Sequence, residues 1–230
     1  MPRLKLQRFR ATEPRPEALA RYVRVYASED LYHRGDTLPP LTARALFGRD
    51  APLTLDLGSG RGEFLVEQAG AHPDRLFVGI EIHWKSVWDA VNRAETAGLD
   101  NVRFVRADLR RILVKVPDRS VAEAWVLFPP PTLEKKRLRK DILSERNIAH
   151  LGRILADGAR LRFVTDQPEY FAWKVELIRA SGAFEDAVLS REFEGGLTRF
   201  QQFWEERSIA SLRYEALRLP RPDGDASSPA

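Results

Sequence analysis

A glycine-rich turn between residues 53 and 63 constrains the fold of this chain more than any other feature. Residues 53–57 form a mostly apolar run, and Gly58, Gly60 and Gly62 follow it at every second position. Residues 63–70 then carry helix-forming side chains, with apolar residues at helical spacing. This order of strand, tight turn and helix directs backbone N–H groups and a helix N-terminus toward a ligand. The turn therefore predicts a ligand site in an α/β domain.

The spacing of the glycines separates two kinds of ligand. A dinucleotide-binding turn has glycines at its first, third and sixth positions, whereas the sixth position from Gly58 is Glu63 here. Asp56 lies two residues before the first glycine. An acid at this position is typical of S-adenosylmethionine (SAM) methyltransferases. A glycine-rich turn in some other α/β domain is the alternative, because such loops occur in many proteins.

The composition fits one large domain with a sizeable core. The chain has 230 residues, of which 43% are hydrophobic and 30% are charged. Its apolar runs are shorter than the roughly 18–20 residues of a membrane span, so we expect no membrane contact. Cysteine is absent, which excludes disulfides and a thiol nucleophile and suits a cytoplasmic location. His33, His72, His83 and His150 lack metal-ligand spacing, so we expect no metal.

The charge of the chain is basic, with a net charge of +4 and more arginine than lysine. Arginine suits bidentate phosphate contacts, and a basic domain favours a nucleic-acid partner. A GC-rich genome that encodes arginine wherever a cation is wanted would give the same bias. Residues 1–50 hold ten Arg or Lys against six Asp or Glu, and we expect a basic arm packed on a main domain of residues 51–219. The tail, 220–230, is expected to be disordered.

The main domain alternates strand and helix patterns. Strands are predicted at 53–57, 76–81, 101–106, 121–128 and 160–164, with an antiparallel closing pair near 184–193 and 208–218. Helices are predicted at 83–97, 112–116, 139–155 and 169–180, and a short one at 21–28. Such alternation predicts an α/β fold: a Rossmann-like, mostly parallel seven-stranded sheet with helices on both faces.

Acidic residues stand at the predicted strand ends, where ligands of such sheets bind. Asp56, Glu81, Asp108 and Asp166 should therefore converge with the proline segment 129–131. Glu81 lies where an acid can bond ribose hydroxyls, and Asp108 lies where a carboxylate can accept from an adenine amino group. A solvated strand-end charge and a helix N-cap are the respective alternatives.

Several segments resemble the bacterial tRNA (guanine-N7)-methyltransferase family of class I SAM-dependent methyltransferases. The similar segments are 55–62, 78–83, 101–108, 126–129 with the basic run after it, 164–166 and 198–201, within residues 53–218. The resemblance implies a Rossmann-like methyltransferase fold. It also implies methyl transfer from SAM to N7 of a guanine in the tRNA variable loop.

The resemblance also implies roles for individual residues. The residues expected to bind SAM are Asp56, Gly58, Gly60, Glu81, Ile82 and Asp108. The residues expected to position guanine are Asp166, Thr198 and Gln201, and those expected on tRNA phosphates are Lys135, Lys136, Arg137 and Arg139. For the basic run, a solvated helix start is the alternative.

The chain departs from the family at the loop after the fourth strand. The family has Asp-Pro-Trp there, whereas this chain has Pro130, Pro131 and Thr132. Gln201 likewise stands where the family has a second acid. No catalytic residue is therefore assigned. Guanine N7 carries a free lone pair and attacks a sulfonium methyl without a general base, so alignment can supply up to roughly 7–11 kcal/mol of the barrier.

Two other functions remain open at this stage. A non-catalytic SAM- or RNA-binding module would explain the Pro130 substitution. A methyltransferase acting on another substrate, such as a small molecule, would explain the SAM pattern but not the basic run. The partner expected is tRNA, and the sequence is compatible with a monomer or a homodimer.

Overall fold

An open β-sheet forms the centre of the computed structural model, which describes residues 10–33, 37–131, 141–190 and 211–220. Its strands in these ranges are β1 Val23–Val25, β2 Leu53–Leu57, β3 Leu76–Glu81, β4 Val102–Arg106, β5 Val121–Leu127, β6 Leu155–Thr165, β7 Phe184–Asp186 and β8 Leu212–Arg218. They lie in the order β1-β4-β3-β2-β5-β6-β8-β7. Neighbours from β1 to β6 pair in parallel, whereas β8 is antiparallel to both β6 and β7.

The helices follow the strands in the alternating order that the sequence predicted. Their bounds are α1 Pro16–Tyr22, α2 Ser28–His33, α3 Ala43–Phe47, α4 Glu63–Ala71, α5 Trp84–Thr96, α6 Leu109–Ile112, α7 Glu145–Ile154 and α8 Pro168–Ala180, with a single 3-10 turn at Leu113–Lys115 after α6. None of the helices in the described ranges is long and apolar enough to cross a lipid bilayer.

The predicted Rossmann-like, mostly parallel sheet with helices on both faces is confirmed. An apolar cluster on one face joins the side chains of α1, α4 and α5 to β3 and β4. The larger cluster on the other face joins α3, α6, α7 and α8 to the central strands. Every residue of β2 is buried, because β2 lies in the middle of the sheet with helices over both of its faces.

An eighth strand, β1, is present that the sequence did not predict. The predicted helix at 21–28 is instead α1, which begins at Pro16 and ends at Tyr22, followed by β1 on the outer edge of the sheet. Proline suits the first turn of a helix, and Val23 and Val25 favour an extended chain. Three residues are too few to show an alternating pattern, so the strand is visible only from its pairing with β4.

Several boundaries differ from the prediction. The helix predicted at 112–116 is α6, which ends at Ile112 and is followed by the 3-10 turn, and the strand predicted at 184–193 ends at Asp186. The helix predicted at 139–155 begins at Glu145, because the Ser144 hydroxyl accepts from the Asn147 N–H at 3.3 Å and caps it. The strand predicted at 160–164 extends back to Leu155. Residues 157–158 lie in a bulge inside β6, with Gly158 at φ +74° and a register shift opposite β5.

A buried ion pair ties α8 to the chain that precedes α7. The Lys174 ammonium lies 2.9 Å from the Asp141 carboxylate, and both side chains are 1% exposed. The other Asp141 oxygen accepts from the Tyr170 hydroxyl at 2.7 Å and from the Leu143 N–H at 2.8 Å. Burial lowers the pKa of Lys174 against the opposing effect of Asp141, whereas burial and the Asp141 charge both raise the pKa of Tyr170.

Removing one member of this pair should destabilise the fold strongly. Lys174→Met leaves the Asp141 charge buried without its counterion, a change that typically costs about 3–5 kcal/mol in the free energy of unfolding. The measurement is urea denaturation of the wild type, Lys174→Met, Asp141→Asn and the double variant. We expect the double variant to lose less than the sum of the single losses; strictly additive losses would contradict the coupling.

Candidate active site

The glycine-rich turn lies at the carboxyl end of β2 and is bonded to the neighbouring strand. The N–H groups of Gly58 and Ser59 both donate to the Ile80 carbonyl of β3, at 2.9 and 3.2 Å. The Gly62 N–H donates to the Ser59 carbonyl at 3.0 Å, which closes the turn before α4 begins. These bonds fold the turn over the end of β3 and hold it in one conformation.

Two of the glycines are required for different reasons. A Cβ on Gly62 would lie 2.7 Å from Ala90 Cβ, so glycine allows α5 to pack against the start of α4. A Cβ on Gly60 would have no protein atom within 4 Å among the described residues, yet Gly60 has φ +54°. Gly60 therefore meets open space in a left-handed conformation that disfavours other residues. That combination leaves room for a ligand against the backbone.

The Glu81 carboxylate connects the turn to the end of β3. One oxygen accepts from the N–H groups of Ile82 and His83 at 2.7 and 2.8 Å, and the other accepts from the Gly60 N–H at 3.2 Å. A carboxylate has about four acceptor positions, so these three bonds leave capacity for a ligand hydroxyl. Glu81 is thus held in place by backbone amides before any ligand binds.

Asp56 is a buried acid whose bonding is incomplete. Its side chain lies at the end of β2, the residue is 3% exposed, and its Oδ1 has no hydrogen-bond partner within the described ranges. Burial, followed by the charge of Glu81, raises the pKa of Asp56 from 3.8 to about 7. A buried oxygen without a partner is costly, and a ligand with a cationic or N–H donor would satisfy it.

Asp108 caps α6 at the end of β4. Its Oδ1 accepts from the Arg110 N–H at 3.0 Å, and the Arg110 guanidinium also bonds both carboxylate oxygens. Burial acts to raise the pKa of Asp108, but the bonds from Arg110 outweigh it and the pKa is lowered overall. The helix N-cap that the sequence left open is therefore present. Because the carboxyl is held in its ionised form, it remains an acceptor.

The backbone brings the ends of β2, β3 and β4 side by side. The Ala107 N–H, just before Asp108, donates to the Glu81 carbonyl at 3.1 Å, and Glu81 in turn bonds Gly60. Ile82, which is 42% exposed, lies between these strand ends in the chain. The predicted SAM-binding residues thus lie on three adjacent strand ends.

The ends of β5 and β6 lie on the other side of β2. Asp166 follows β6, and its carboxylate accepts from the Gln167 side-chain amide at 3.0 Å. The other predicted substrate residues, Lys135, Lys136, Arg137, Arg139, Thr198 and Gln201, lie outside the described residues. Pro130, at the family's Asp position, is exposed in the segment directly after Phe128 and Pro129.

Phe128 is a strained residue that the sequence did not indicate. It has φ +48°, and its N–H donates to the Val164 carbonyl at 2.8 Å. A non-glycine residue in this region costs of order 1–3 kcal/mol, and such residues cluster at functional sites. The predicted strand at 121–128 ends one residue earlier for this reason. The sequence does not indicate this left-handed conformation, because Pro129 follows Phe128 and a residue before proline favours an extended conformation.

The described ranges contain no group of three or more His, Asp or Glu residues arranged to hold a metal ion. The groups present instead suit an adenosine-type ligand with a cationic end. They are an acceptor at Glu81, an acceptor at Asp108 and the buried Asp56 oxygen without a partner. These three acceptors fit SAM, which carries ribose hydroxyls, an adenine amino group and an ammonium group as donors.

Asp56→Asn should change how stability depends on pH. Because the folded-state pKa is raised to about 7, the folded chain holds a proton that the unfolded chain releases near pH 4. The stability contributed by this group therefore falls as pH rises from about 4 to 7, by up to about 4 kcal/mol, and is level above that. Asn has no such dependence.

Urea denaturation at several pH values between about 4.5 and 8 measures this difference. The wild type should lose stability relative to Asp56→Asn as pH rises. Asp74→Asn, at an exposed turn residue, is the matched control and should run parallel to the wild type. Parallel curves for Asp56→Asn and the wild type would show that Asp56 is ionised in the folded chain.

Comparison with known proteins identifies the family of this chain. The model of a family described as "Putative methyltransferase" matches residues 50–211. The tRNA (guanine-N(7)-)-methyltransferase of Rubrobacter xylanophilus is 34% identical over 222 residues, which cover 95% of this chain and 100% of the relative. The protein of the same name from Chloroflexus aggregans is 40% identical over 75% of this chain and 77% of the relative.

Solved structures share the fold. The 16S rRNA methyltransferase KamB has a TM-score of 0.57 at 18% identity, covering 78% of this chain and 95% of its own. The aminoglycoside resistance methyltransferase NpmB1 has a TM-score of 0.55 at 19% identity, covering 77% of this chain and 94% of its own. At these identities the likeness establishes the Rossmann-like methyltransferase fold. The sequence relatives, which cover 95% and 75% of the chain, establish the family: this chain belongs to the tRNA (guanine-N7)-methyltransferases.

Proposed function

We propose that this protein transfers the methyl group of SAM to N7 of a guanine in the variable loop of tRNA. The observation that carries the proposal is the glycine turn whose Gly60 amide is held by Glu81 beside the buried Asp56. Family membership supplies the reaction class, because the relatives that match the chain are named for guanine N7 in tRNA.

Each strand-end group has a role toward SAM in this proposal. Glu81 accepts hydrogen bonds from the ribose hydroxyls, and Asp108 accepts from the adenine amino group while Ile82 packs against the ring. Asp56 faces the ammonium end, where a cation favours its ionised form. Gly58 and Gly60 allow the ligand to approach the backbone. SAM itself supplies an electrophilic methyl group on a sulfonium.

The reaction requires alignment more than proton transfer. The N7 lone pair forms a bond to the methyl carbon as the carbon–sulfur bond breaks, and S-adenosylhomocysteine leaves with the electron pair. N7 bears no proton, so no base has to remove one. The guanine gains a positive charge, and in this proposal the Asp166 carboxylate at the end of β6 stabilises it. This chemistry is compatible with Pro130 at the family's Asp position.

The presence of Pro130 at the family's Asp position favours a second function. Without the Asp-Pro-Trp carboxylate, the chain would keep its SAM site and bind RNA without transferring a methyl group. The two functions differ in one product, 7-methylguanosine. In either case we propose tRNA as the partner. Its phosphates are bound by four side chains, Lys135, Lys136, Arg137 and Arg139. We propose that the protein acts in the cytoplasm as a monomer or a homodimer.

Incubation with labelled SAM and bulk tRNA that lacks 7-methylguanosine tests the proposal. Digestion to nucleosides should recover the label in 7-methylguanosine, because N7 attack needs no group that this chain lacks. Label in another nucleoside would show that the enzyme methylates a different position of tRNA. A lack of label while calorimetry still detects SAM binding would favour the non-catalytic module.

Two variants should separate SAM binding from guanine positioning. Glu81→Gln removes a charged acceptor and should weaken SAM binding by roughly 10–100-fold, since hydrogen bonds to charged groups contribute about 1.5–3 kcal/mol. Asp166→Asn should leave SAM affinity unchanged and lower kcat at saturating SAM. Glu185→Gln, at an exposed residue of β7, is the control. Equal effects of both variants on SAM affinity would contradict the assignment.

A further inference from the structure

Five arginines lie on β1, β4 and the segments that flank them, at the outer edge of the sheet. We call Arg21, Arg24, Arg103, Arg106 and Arg111 the arginine edge. Four of them stack on aromatic rings. Arg106 lies 5.1 Å from the Trp84 ring centroid, Arg111 lies 5.2 Å from that of Tyr32, Arg103 lies 4.7 Å from that of Phe47, and Arg21 lies 5.1 Å from that of Tyr22.

The hydrogen bonds of these arginines go to backbone carbonyls. Arg24 donates to the Ala20 and Val23 carbonyls at 2.9 Å. Arg103 donates to the carbonyls of residues 100 and 102 at 2.9 and 2.8 Å. Within the described residues, no ion pair joins any member of the arginine edge to a carboxylate, whereas arginines elsewhere, such as Arg179 and Arg119, are paired.

Positive charge therefore predominates on this edge, because the nearby Asp100 carboxylate acts on Arg103 with a smaller effect than the charges of Arg24 and Arg21. Burial lowers the pKa of Arg103, and the charges of Arg24 and then Arg21 lower it further. The Nε atoms of Arg103 and Arg106 are buried and lack a hydrogen-bond partner within the described ranges. Like charges that repel one another cost stability unless an anion is bound, so the edge is built for an anionic partner.

The exposed rings indicate the kind of anion. Tyr32 is 70% exposed and Trp84 is 37% exposed, and both carry a stacked guanidinium. Stacking fixes the plane of an arginine and leaves its N–H fork available for bidentate bonds to phosphate. An exposed ring beside it offers a face on which a base can stack. Interleaved cations and aromatic rings are what a nucleic-acid surface requires.

The position of the edge fits one long ligand. Val25 of β1 pairs with Arg106 of β4, and Asp108 follows two residues later at the SAM-binding strand ends. Pro130 and Asp166 follow β5 and β6, on the other side of β2. An RNA molecule with its guanine at the ends of β5 and β6 would cross the strand ends and reach the arginine edge.

We propose that the arginine edge is a second phosphate-binding surface for the body of the tRNA substrate, separate from the basic run at 135–140. The inference rests on the proposed function for the identity of the RNA. The N-terminal segment, which contributes Arg21, Arg24, Tyr32 and β1, thereby acts in substrate binding.

Binding of unmethylated tRNA without SAM, measured by fluorescence anisotropy at several salt concentrations, tests the surface. The variant is Arg24→Gln/Arg111→Gln. The matched control is Arg119→Gln/Arg179→Gln, which removes the same charge from paired arginines. The slope of log Kobs against log salt should shrink by about 1.4–1.8 in the variant, since each of the two lost phosphate contacts removes about 0.7–0.9. At 100 mM salt the affinity should fall about tenfold or more.

Two further measurements exclude a general loss of structure. The Kd for SAM should be unchanged in the variant, and Arg24→Lys/Arg111→Lys should recover most of the salt slope because it keeps the charges. A variant that binds tRNA as the wild type or the control does would overturn the proposal. Binding of a poly-glutamate peptide at this edge with no effect on tRNA would overturn it in favour of an acidic protein partner.

The outcome also separates this inference from the proposed function. If the wild type makes 7-methylguanosine and the variant binds tRNA normally, the second surface alone is wrong. If the variant loses tRNA binding but the wild type labels no 7-methylguanosine, the surface is supported and the methylation is wrong. A wild type that does not bind tRNA at any salt concentration contradicts both.

Discussion

The hydrogen bonds that join the glycine turn to β3 are the constraint on which the rest of the site depends. Gly58 and Ser59 donate to the Ile80 carbonyl, and Gly60 donates to the Glu81 carboxylate. Without these bonds the turn would become ordered only on ligand binding, and the loss of conformational entropy would lower the affinity. Because β2 and β3 are buried and paired, the turn is fixed before binding, and Glu81 is oriented by the same bonds.

The sequence predicts the parts of this protein that arise from repeated patterns or from single residues with strong preferences. The alternation of apolar runs and helical stripes predicts the parallel sheet, and the strand-end rule brings Asp56, Glu81 and Asp108 to one edge. Strand β1, the start of α7 and the conformation of Phe128 were not predicted. Each of these depends on a partner distant in sequence or on one local hydrogen bond, and neither leaves a periodic signal.

The arginine edge illustrates the same limit. Arg103 and Arg106 lie on opposite faces of β4, with buried Phe104 and Val105 between them, so their spacing does not show a strand with one solvent-facing side. Arg103 lies over the rings of Tyr22 and Phe47, which are distant in sequence, and these contacts are visible only once β1 and α3 are placed beside β4.

The buried Asp141–Lys174 pair has a consequence for how this family can vary. On one side of residues 129–140, Phe128 is bonded to β6 through Val164, and on the other side Asp141 is bonded to α8. Both attachments lie in the described core and neither uses residue 130. The two ends of this connection are thus attached to the core by residues other than position 130. A substitution at position 130, such as the proline found here, leaves both attachments in place.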